Sequence, residues 1–356
     1  MDFLIEISKT ATFVILGIIG LAFFGIFFGL LYKGIDRKIA AHMQGRIGPP
    51  IRQPFRDVVK LFTKENIVPE NAVPWVFNLA PLVGLVATIS ILLYLPLGGF
   101  QPLLDGLITT KGDLILILYL LIIPSLAMVI GGFSSGSPYA TVGAQREMAT
   151  MIAYEFPLAI VIISIAWRLN IYESANPFAL STVIATPIWN IAGPLGFIGF
   201  FLLLLALVIV TPAELSKIPF DSPEAETEIA GGLLTEYSGR NLAMFYITDG
   251  VKTVVMASLI VALFFPYNLS PLFGLESYPA FTVDIIFYLI KVLLVILFSV
   301  TLIRVAIARL KIDQIVYTYW VPLTLLALVG LICIMWDSYT LQELGWQPVL
   351  AMLGLS

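Results

Sequence analysis

Acidic residues are concentrated in one segment of the sequence, residues 211–240. Apolar stretches flank this segment on both sides, so its carboxyl groups stand at or inside a membrane boundary. Burial disfavours the charged form of a carboxyl group, which therefore binds a proton closer to neutral pH. The segment predicts proton handling, with a solvated acidic loop as the alternative. Its acids are Glu214, Asp221, Glu224, Glu226, Glu228 and Glu236.

The middle of this acidic segment carries a helix-start pattern. Asp221 or Ser222 can serve as N-cap, and a proline follows in the first turn. A helix that begins there places Glu224 and Glu228 on one face. Like charges four residues apart repel each other, so we expect a raised pKa for at least one of this pair.

Four ionisable residues interrupt the apolar stretches themselves, where a charge costs roughly 2.5–3.5 kcal/mol on insertion scales. Glu155 lies two residues before Pro157, which frees a backbone carbonyl and favours a small polar cavity. Asp249 and Lys252 are three residues apart and near enough to pair on a helix. Lys291 has no acid within four residues, so it must meet water, a carbonyl or an acid from another helix.

Composition sets the fold class that must position these groups. The chain is 59% hydrophobic and 12% charged, with a mean hydropathy of +0.99, whereas soluble proteins carry about 25% charged residues. We predict an all-α polytopic membrane protein, a single integral membrane domain over residues 1–356. Eight stretches approach the roughly 20 apolar residues that a spanning helix needs. They are residues 11–32, 75–95, 113–133, 149–167, 190–210, 241–265, 282–303 and 316–336.

The distribution of positive charge predicts an orientation. Most of the 19 lysines and arginines lie in segments that share one side of the membrane. The positive-inside rule then makes residues 33–74 and 211–240 cytoplasmic loops and places both termini outside the cell membrane. Within 33–74, Phe55, Val58 and Phe62 recur at helical spacing opposite charged residues. This spacing predicts an interfacial amphipathic helix, with an ordinary surface helix as the alternative.

Single cysteine and histidine residues limit what this chain can bind. Cys333 alone forms no disulfide framework, and His42 alone forms no histidine-rich metal or haem site. We therefore expect no metal site in this chain. We also expect no cofactor and no nucleic acid to be bound by it.

Several short motifs together resemble the NuoH family, the membrane component of respiratory complex I that meets the peripheral arm. The resemblance covers essentially the whole chain. The matching motifs are DRK at 36–38, QGRIGP at 44–49, QPFRD at 53–57, KLF at 60–62, AYE at 153–155, PAE at 212–214, PFD at 219–221 and TEYS at 235–238.

Other motifs are similar to one branch of that family. The short connection at 48–54, VPWVF at 73–77 and GAQREM at 143–148 look like the M-type membrane subunit of energy-converting, membrane-bound NiFe hydrogenases of group 4. A quinone-site subunit of an NADH- or ferredoxin-type complex I, or a relative of sulfane-sulfur reductases, remains the alternative. A stand-alone ion transporter is the alternative from another class.

The resemblance implies a coupling subunit with no redox chemistry of its own. It implies an anchored NiFe-hydrogenase-like large subunit and an iron–sulfur small subunit, which hold the cofactors, and antiporter-like membrane subunits that move H⁺ or Na⁺. The implied coupling residues are Glu155, Glu214, Asp221, Glu224, Glu226, Glu228, Glu236, Asp249, Lys252 and Lys291. The implied docking residues are Asp36, Arg37, Lys38, Arg46, Arg56, Asp57 and Lys60.

Overall fold

The computed structural model describes residues 2–97, 113–172, 176–274, 277–343 and 348–349 of the 356-residue chain. These residues form helices and connecting turns, and no strand occurs among them. In chain order the α-helices are α1 (Asp2–Met43), α2 (Gln53–Thr63), α3 (Pro74–Leu92), α4 (Asp113–Ser134), α5 (Pro138–Tyr172), α6 (Leu180–Ala185), α7 (Pro194–Glu214), α8 (Glu226–Ile229), α9 (Gly239–Phe264), α10 (Ser277–Ile296), α11 (Leu302–Ala306), α12 (Ile312–Thr318) and α13 (Thr324–Glu343).

Eight helical segments of the described chain are long and apolar enough to cross a membrane, which confirms the predicted fold class. Six are single helices, α1, α3, α4, α5, α7 and α9. The other two are continuous composites, in which a π-helical segment joins α10 to α11 (Leu297–Thr301) and α12 to α13 (Tyr319–Leu323). The predicted boundaries are too short for α5, because its hydrogen-bonded backbone continues through polar residues before 149.

The predicted loop 33–74 begins with residues 33–43 in a helix, about a quarter of its length. α1 continues to Met43, so the basic residues from Lys33 to Lys38 lie on a helix and not in a loop. The amphipathic helix within this stretch is confirmed as α2, and a proline occupies its first turn, where no backbone donor is lost.

Helix α9 forms the centre of the bundle, and almost all of it is buried. It packs against α1, α2, α3 and α10. The approach of α1 is closest at Gly29, where an added Cβ would lie 2.6 Å from the backbone of Gly250. Small residues allow such close crossings of membrane helices. As a result Lys33, one turn beyond Gly29, lies beside Asp249.

The acidic segment is shorter than predicted and folded back on itself. α7 continues through Pro212 to Glu214, and α9 already begins at Gly239. A 3₁₀ turn (Ser222–Glu224) starts where the sequence predicts a helix, but Ala225 is extended (ψ 100°) and ends it. The predicted shared face of Glu224 and Glu228 is therefore wrong, because Glu228 belongs to the separate helix α8.

Left-handed backbone reverses the chain after α8 and packs it against α5. Ala230, Gly231 and Gly232 all have positive φ. Gly232 and the following residue then lie against Gly143 of α5, where an added Cβ would meet backbone at 2.7 Å. The reversal holds the acidic segment over the ends of the helices that carry the buried charges.

Candidate functional site

Asp249 of α9 is bridged by two lysines. The Lys33 Nζ lies 2.6 Å from its Oδ2, and the Lys217 Nζ lies 2.7 Å from Oδ1 and 2.6 Å from Oδ2. The Lys33 Nζ also lies 3.3 Å from the ring centroid of Tyr246, a cation–π contact. The predicted pair between Asp249 and Lys252 is wrong, because both residues find closer partners on other elements.

Lys252 pairs with Glu214 at the end of α7. The Lys252 Nζ lies 2.8 Å from the Glu214 Oε1, and both side chains are almost fully buried, at 4% and 2% exposure. The same Nζ donates a hydrogen bond to the Ser125 Oγ (2.9 Å), which lies 3.2 Å from the Tyr154 hydroxyl. This network therefore joins α4, α5, α7 and α9.

Glu147 of α5 is a buried acid that sequence reasoning missed. Its side chain is 1% exposed, its Oε1 has no hydrogen-bond partner within the described residues, and its Oε2 accepts a long hydrogen bond from the Ser216 Oγ (3.5 Å). It was missed because it follows Arg146 in a polar run outside the predicted span. The available signal was periodicity, since Glu147 and Tyr154, seven residues apart, share one buried face.

Glu224 faces the same interior from the acidic segment. Burial raises the pKa of its carboxyl from the ordinary 4.5 to about 7, although the nearby Lys217 ammonium opposes the shift. Asp249 and Asp221 act in the same direction as burial, since like charge disfavours the ionised form. At neutral pH this group is therefore poised between its protonated and ionised states.

Three cavities with shared lining residues lie among these groups. The loop cavity, about 360 Å³, lies beneath the acidic segment; the central cavity, about 210 Å³, lies beside α9; and the lateral cavity, about 380 Å³, lies between α4 and α5. Lys33, Lys217 and Glu224 line both the loop and the central cavities. Glu214 lines both the central and the lateral cavities.

The lateral cavity has mainly aliphatic walls and two carboxyl groups. Glu155 is half-buried there, and its Oε1 is a buried atom without a hydrogen-bond partner in the described structure. Glu214 also lines this cavity, together with aliphatic side chains such as Ile122 and Leu158. The sequence prediction of a polar cavity at Glu155 is therefore confirmed only in part, because most of its lining is apolar.

Other acids fasten the acidic segment to its neighbours. Asp221 accepts two hydrogen bonds from the Arg309 guanidinium, at 2.9 and 2.5 Å. Glu228 pairs with Arg146 of α5 at 2.5 Å. Glu226 is exposed and lines the loop cavity. Glu236, next to α9, is half-buried.

Lys291 of α10 lies apart from these cavities and is not among their lining residues. Its Nζ donates to the backbone carbonyls of Phe265 (2.9 Å) and Tyr267 (2.7 Å), just beyond the end of α9. The sequence left water, a carbonyl or an acid from another helix as partners for Lys291, and in the structure its partners are carbonyls. They are acceptors that a helix terminus leaves free.

The residues assigned to docking fall into two groups. Asp36 is buried and accepts hydrogen bonds from Thr301 (2.6 Å) and Arg304 (3.0 Å), and Arg37 pairs with Asp57 at 3.4 Å. The remaining side chains are exposed. They are Lys38, Arg46, Arg56 and Lys60.

Acidic, cysteine and histidine side chains of the described ranges nowhere form a group of three that could hold a metal ion. The groups that do come together at the site are carboxyl and ammonium groups, whose chemistry is proton binding and charge compensation.

Comparison with known proteins identifies the family. The family model "NADH dehydrogenase" matches residues 16–335. The chain is 34% identical to the NuoH-type component of NADH-quinone oxidoreductase from Syntrophotalea carbinolica, over 82% of this chain and 86% of that protein. It is 35% identical to hydrogenase-4 component C of Escherichia coli K12, over 84% of this chain and 89% of that protein.

A solved structure has the same fold. A chain of the membrane-bound sulfane sulfur reductase, an archaeal respiratory membrane complex, superposes with a TM-score of 0.76 at 28% identity. The match covers 90% of this chain and 99% of that one. Fold, sequence and motifs agree, and the chain is a multi-pass membrane protein that belongs to the NADH dehydrogenase family, among the NuoH homologues.

Proposed function

We propose that this chain is the membrane subunit of a redox-driven respiratory complex, where it couples electron transfer in a soluble arm to ion movement across the membrane. Its relatives are subunits of an NADH-quinone oxidoreductase, hydrogenase-4 and a sulfane sulfur reductase complex. The observation that carries the proposal is the position of Glu214, which lines both the central and the lateral cavities and so connects the acidic segment with the membrane interior.

The charge balance around the central cavity supports a mobile proton. Arg37 also lines this cavity but pairs with Asp57, and Glu147 lies beside the lining residue Ser216. With the Arg37–Asp57 pair set apart, four carboxyl groups meet three ammonium groups; the acids are Glu147, Glu214, Glu224 and Asp249, and the lysines are Lys33, Lys217 and Lys252. A low-dielectric interior disfavours net charge. One proton shared among the carboxyls makes the cluster neutral, and the two acids without a lysine bond, Glu147 and Glu224, are its natural carriers.

Coupling would then be electrostatic. A change of charge in the soluble arm near the loop cavity shifts the protonation of Glu224, whose pKa of about 7 makes it sensitive to small perturbations. Two unit charges 4 Å apart interact by about 4 kcal/mol at an effective dielectric constant of 20, against about 1 kcal/mol in water. Each transfer of the proton toward Glu214 therefore changes the electrostatic energy of two charge groups. One is the Glu214–Lys252 pair, and the other is Asp249 with Lys33 and Lys217.

The lateral cavity is the proposed exit. Glu155 and Glu214 share it, and it opens between α4 and α5, where antiporter-like membrane subunits that move H⁺ or Na⁺ would dock. If Glu155 is the exit group, Glu155→Gln in the assembled complex abolishes ion movement and leaves electron transfer intact. Glu226→Gln, at an exposed acid, serves as control and retains ion movement. Normal ion movement with Glu155→Gln contradicts the exit.

The proposed partners on the cytoplasmic side are a NiFe-hydrogenase-like large subunit and an iron–sulfur small subunit, which would carry the redox centres. The end of α1 and the acidic segment surround the loop cavity and present Lys38, Arg46 and Glu226 to solvent. Metal analysis of the native complex distinguishes the acceptors: nickel supports the hydrogenase assignment, and its absence supports the quinone or sulfane-sulfur alternative.

A stand-alone ion transporter is the second candidate, because the three cavities, which share lining residues, extend from the acidic segment to Glu155 of α5. Liposomes that contain only this chain distinguish the two functions. The coupling proposal predicts no ion flux from the isolated chain under an imposed gradient, and flux from the assembled complex only with an electron donor. Substantial flux from the isolated chain contradicts coupling.

A further inference from the structure

The amphipathic helix α2 has three distinct faces. Pro54 and Val58 are buried against the protein, toward α1 and α9. Phe55, Val59 and Phe62 follow one another at spacings of four and three residues and form a second face. Val59 and Phe62 on this second face are 64% and 52% exposed, so no described part of this chain covers it.

The apolar face of α2 continues the surface of α1. The rings of Phe55 and Phe27 lie 5.7 Å apart, and those of Phe27 and Phe23 lie 6.1 Å apart. Phe23 is 71% exposed in the apolar part of α1, a surface suited to the acyl chains of a bilayer. The aromatic ladder thus places the apolar face of α2 at the boundary between acyl chains and head groups.

The third face of α2 is basic and points away from the protein. At 3.6 residues per turn, Arg56 and Lys60 lie next to the apolar face, on the side opposite Val58. Both side chains are exposed, and neither forms an ion pair or hydrogen bond within the described part of the chain. The one acid of the helix, Asp57, lies toward α1 and is engaged by Arg37 and Gln53.

The depth of α2 separates these two cations from Lys38 and Arg46, the other exposed residues assigned to docking. Gly34 of α1 touches Ile51, just before α2, and α1 then continues to Met43. Measured from Gly34 along the helix axis, Lys38 lies about 6 Å farther and Met43 about 13 Å farther. Lys38 and Arg46 therefore project beyond α2 into the water, whereas Arg56 and Lys60 remain at the level of the head groups.

We propose that Arg56 and Lys60 form a binding site for the head groups of anionic phospholipids, so that they hold α2 to the membrane and do not dock a soluble subunit. Positive charge at the rim of an apolar face is complementary to a phosphate-bearing head group whose acyl chains lie along that face. This site is independent of the proposed ion path.

Native mass spectrometry of the full-length chain tests this site, with phosphatidylglycerol and phosphatidylcholine as the lipid probes. A juxtamembrane cation contributes about fivefold to the affinity for anionic lipid. Arg56→Gln with Lys60→Gln should therefore weaken phosphatidylglycerol binding about 25-fold and leave phosphatidylcholine binding unchanged. Arg56→Lys with Lys60→Arg keeps both charges and should bind as the wild type does.

Lys38→Gln with Arg46→Gln removes the same charge farther from the membrane and is the matched control. Unchanged phosphatidylglycerol binding in the Arg56 and Lys60 double variant would refute the lipid site. So would an equal loss in the control, which would indicate nonspecific attraction. Loss of a soluble partner from the purified complex, with lipid binding intact, would assign the basic face to protein docking instead.

Discussion

The pair between Glu214 and Lys252 gives the sharpest test of the buried charge cluster. The two side chains are 2% and 4% exposed and their charged atoms lie 2.8 Å apart. Replacing one partner leaves the other charge buried without compensation, which typically costs about 3–5 kcal/mol. Replacing both with apolar residues of similar volume removes the uncompensated charge and is often close to neutral.

We therefore expect a strongly non-additive double-mutant cycle. Glu214→Leu and Lys252→Met should each lower the free energy of unfolding by about 3–5 kcal/mol, and the double variant should lose much less than the sum. Lys252 also donates to Ser125, so its single loss disturbs a second polar group. SDS-induced unfolding of the detergent-solubilised chain measures all four corners of the cycle. Additive losses would refute the pairing and, with it, the charge balance derived for the central cavity.

Three further predictions follow from the same cluster and its packing. Asp249→Asn leaves Lys33 and Lys217 without their shared carboxylate and should destabilise the chain by about 3 kcal/mol in the same unfolding assay. An effect below about 1 kcal/mol would contradict the bridge. Between pH 4.5 and about 7 the folded chain holds a proton on Glu224 that the unfolded chain has released, so the melting temperature should fall as pH rises through this window. Glu224→Gln should flatten that slope and Glu226→Gln should preserve it, whereas an equal slope in both variants would exclude Glu224 as its source. Gly29→Ala forces a methyl group to within 2.6 Å of the α9 backbone and should lower the free energy of unfolding by about 1–3 kcal/mol or more. Gly20→Ala, with open space around the added methyl group, is the control and should leave stability unchanged. Equal effects of the two substitutions would contradict the close crossing.

The transmembrane architecture was predictable because it depends on length and composition. A helix that crosses the bilayer must be long and apolar, and each of the eight predicted stretches overlaps one of the eight membrane-length helical segments. Helix ends were less predictable, since hydropathy ceases to guide where a helix leaves the membrane. α1 and α5 both continue into polar sequence. Lys33 and Glu147, which lie outside the predicted spans, are therefore helical in the structure.

The members of the charge cluster were easier to predict than their pairing. Asp249 and Lys252 stood out because charge is costly in apolar sequence, and Glu214 stood out as a member of the acidic segment. Their partners come from other helices, however, and local spacing carries no information on that packing. The close crossing of α1 and α9, which brings Lys33 to Asp249, depends on backbone contact at Gly29, and a glycine in an apolar helix does not by itself specify its neighbour.

The acidic segment differs most from its prediction. Regular helical spacing paired Glu224 with Glu228, whereas the extended residue Ala225 sends Glu224 inward and leaves Glu228 to Arg146. The raised pKa of Glu224 consequently comes from burial and not from repulsion by Glu228. A single extended residue is too local a feature for periodicity to detect.

The ratio of ions moved to electrons transferred by the assembled complex in sealed vesicles tests the coupling role most directly. Glu214→Gln removes the ionisable group that the central and lateral cavities share. We predict that electron transfer in the soluble arm continues while the ratio falls to near zero, and that Glu228→Gln, at the rim of the same segment, lowers it as well. A wild-type ratio with Glu214→Gln would contradict the proposed path.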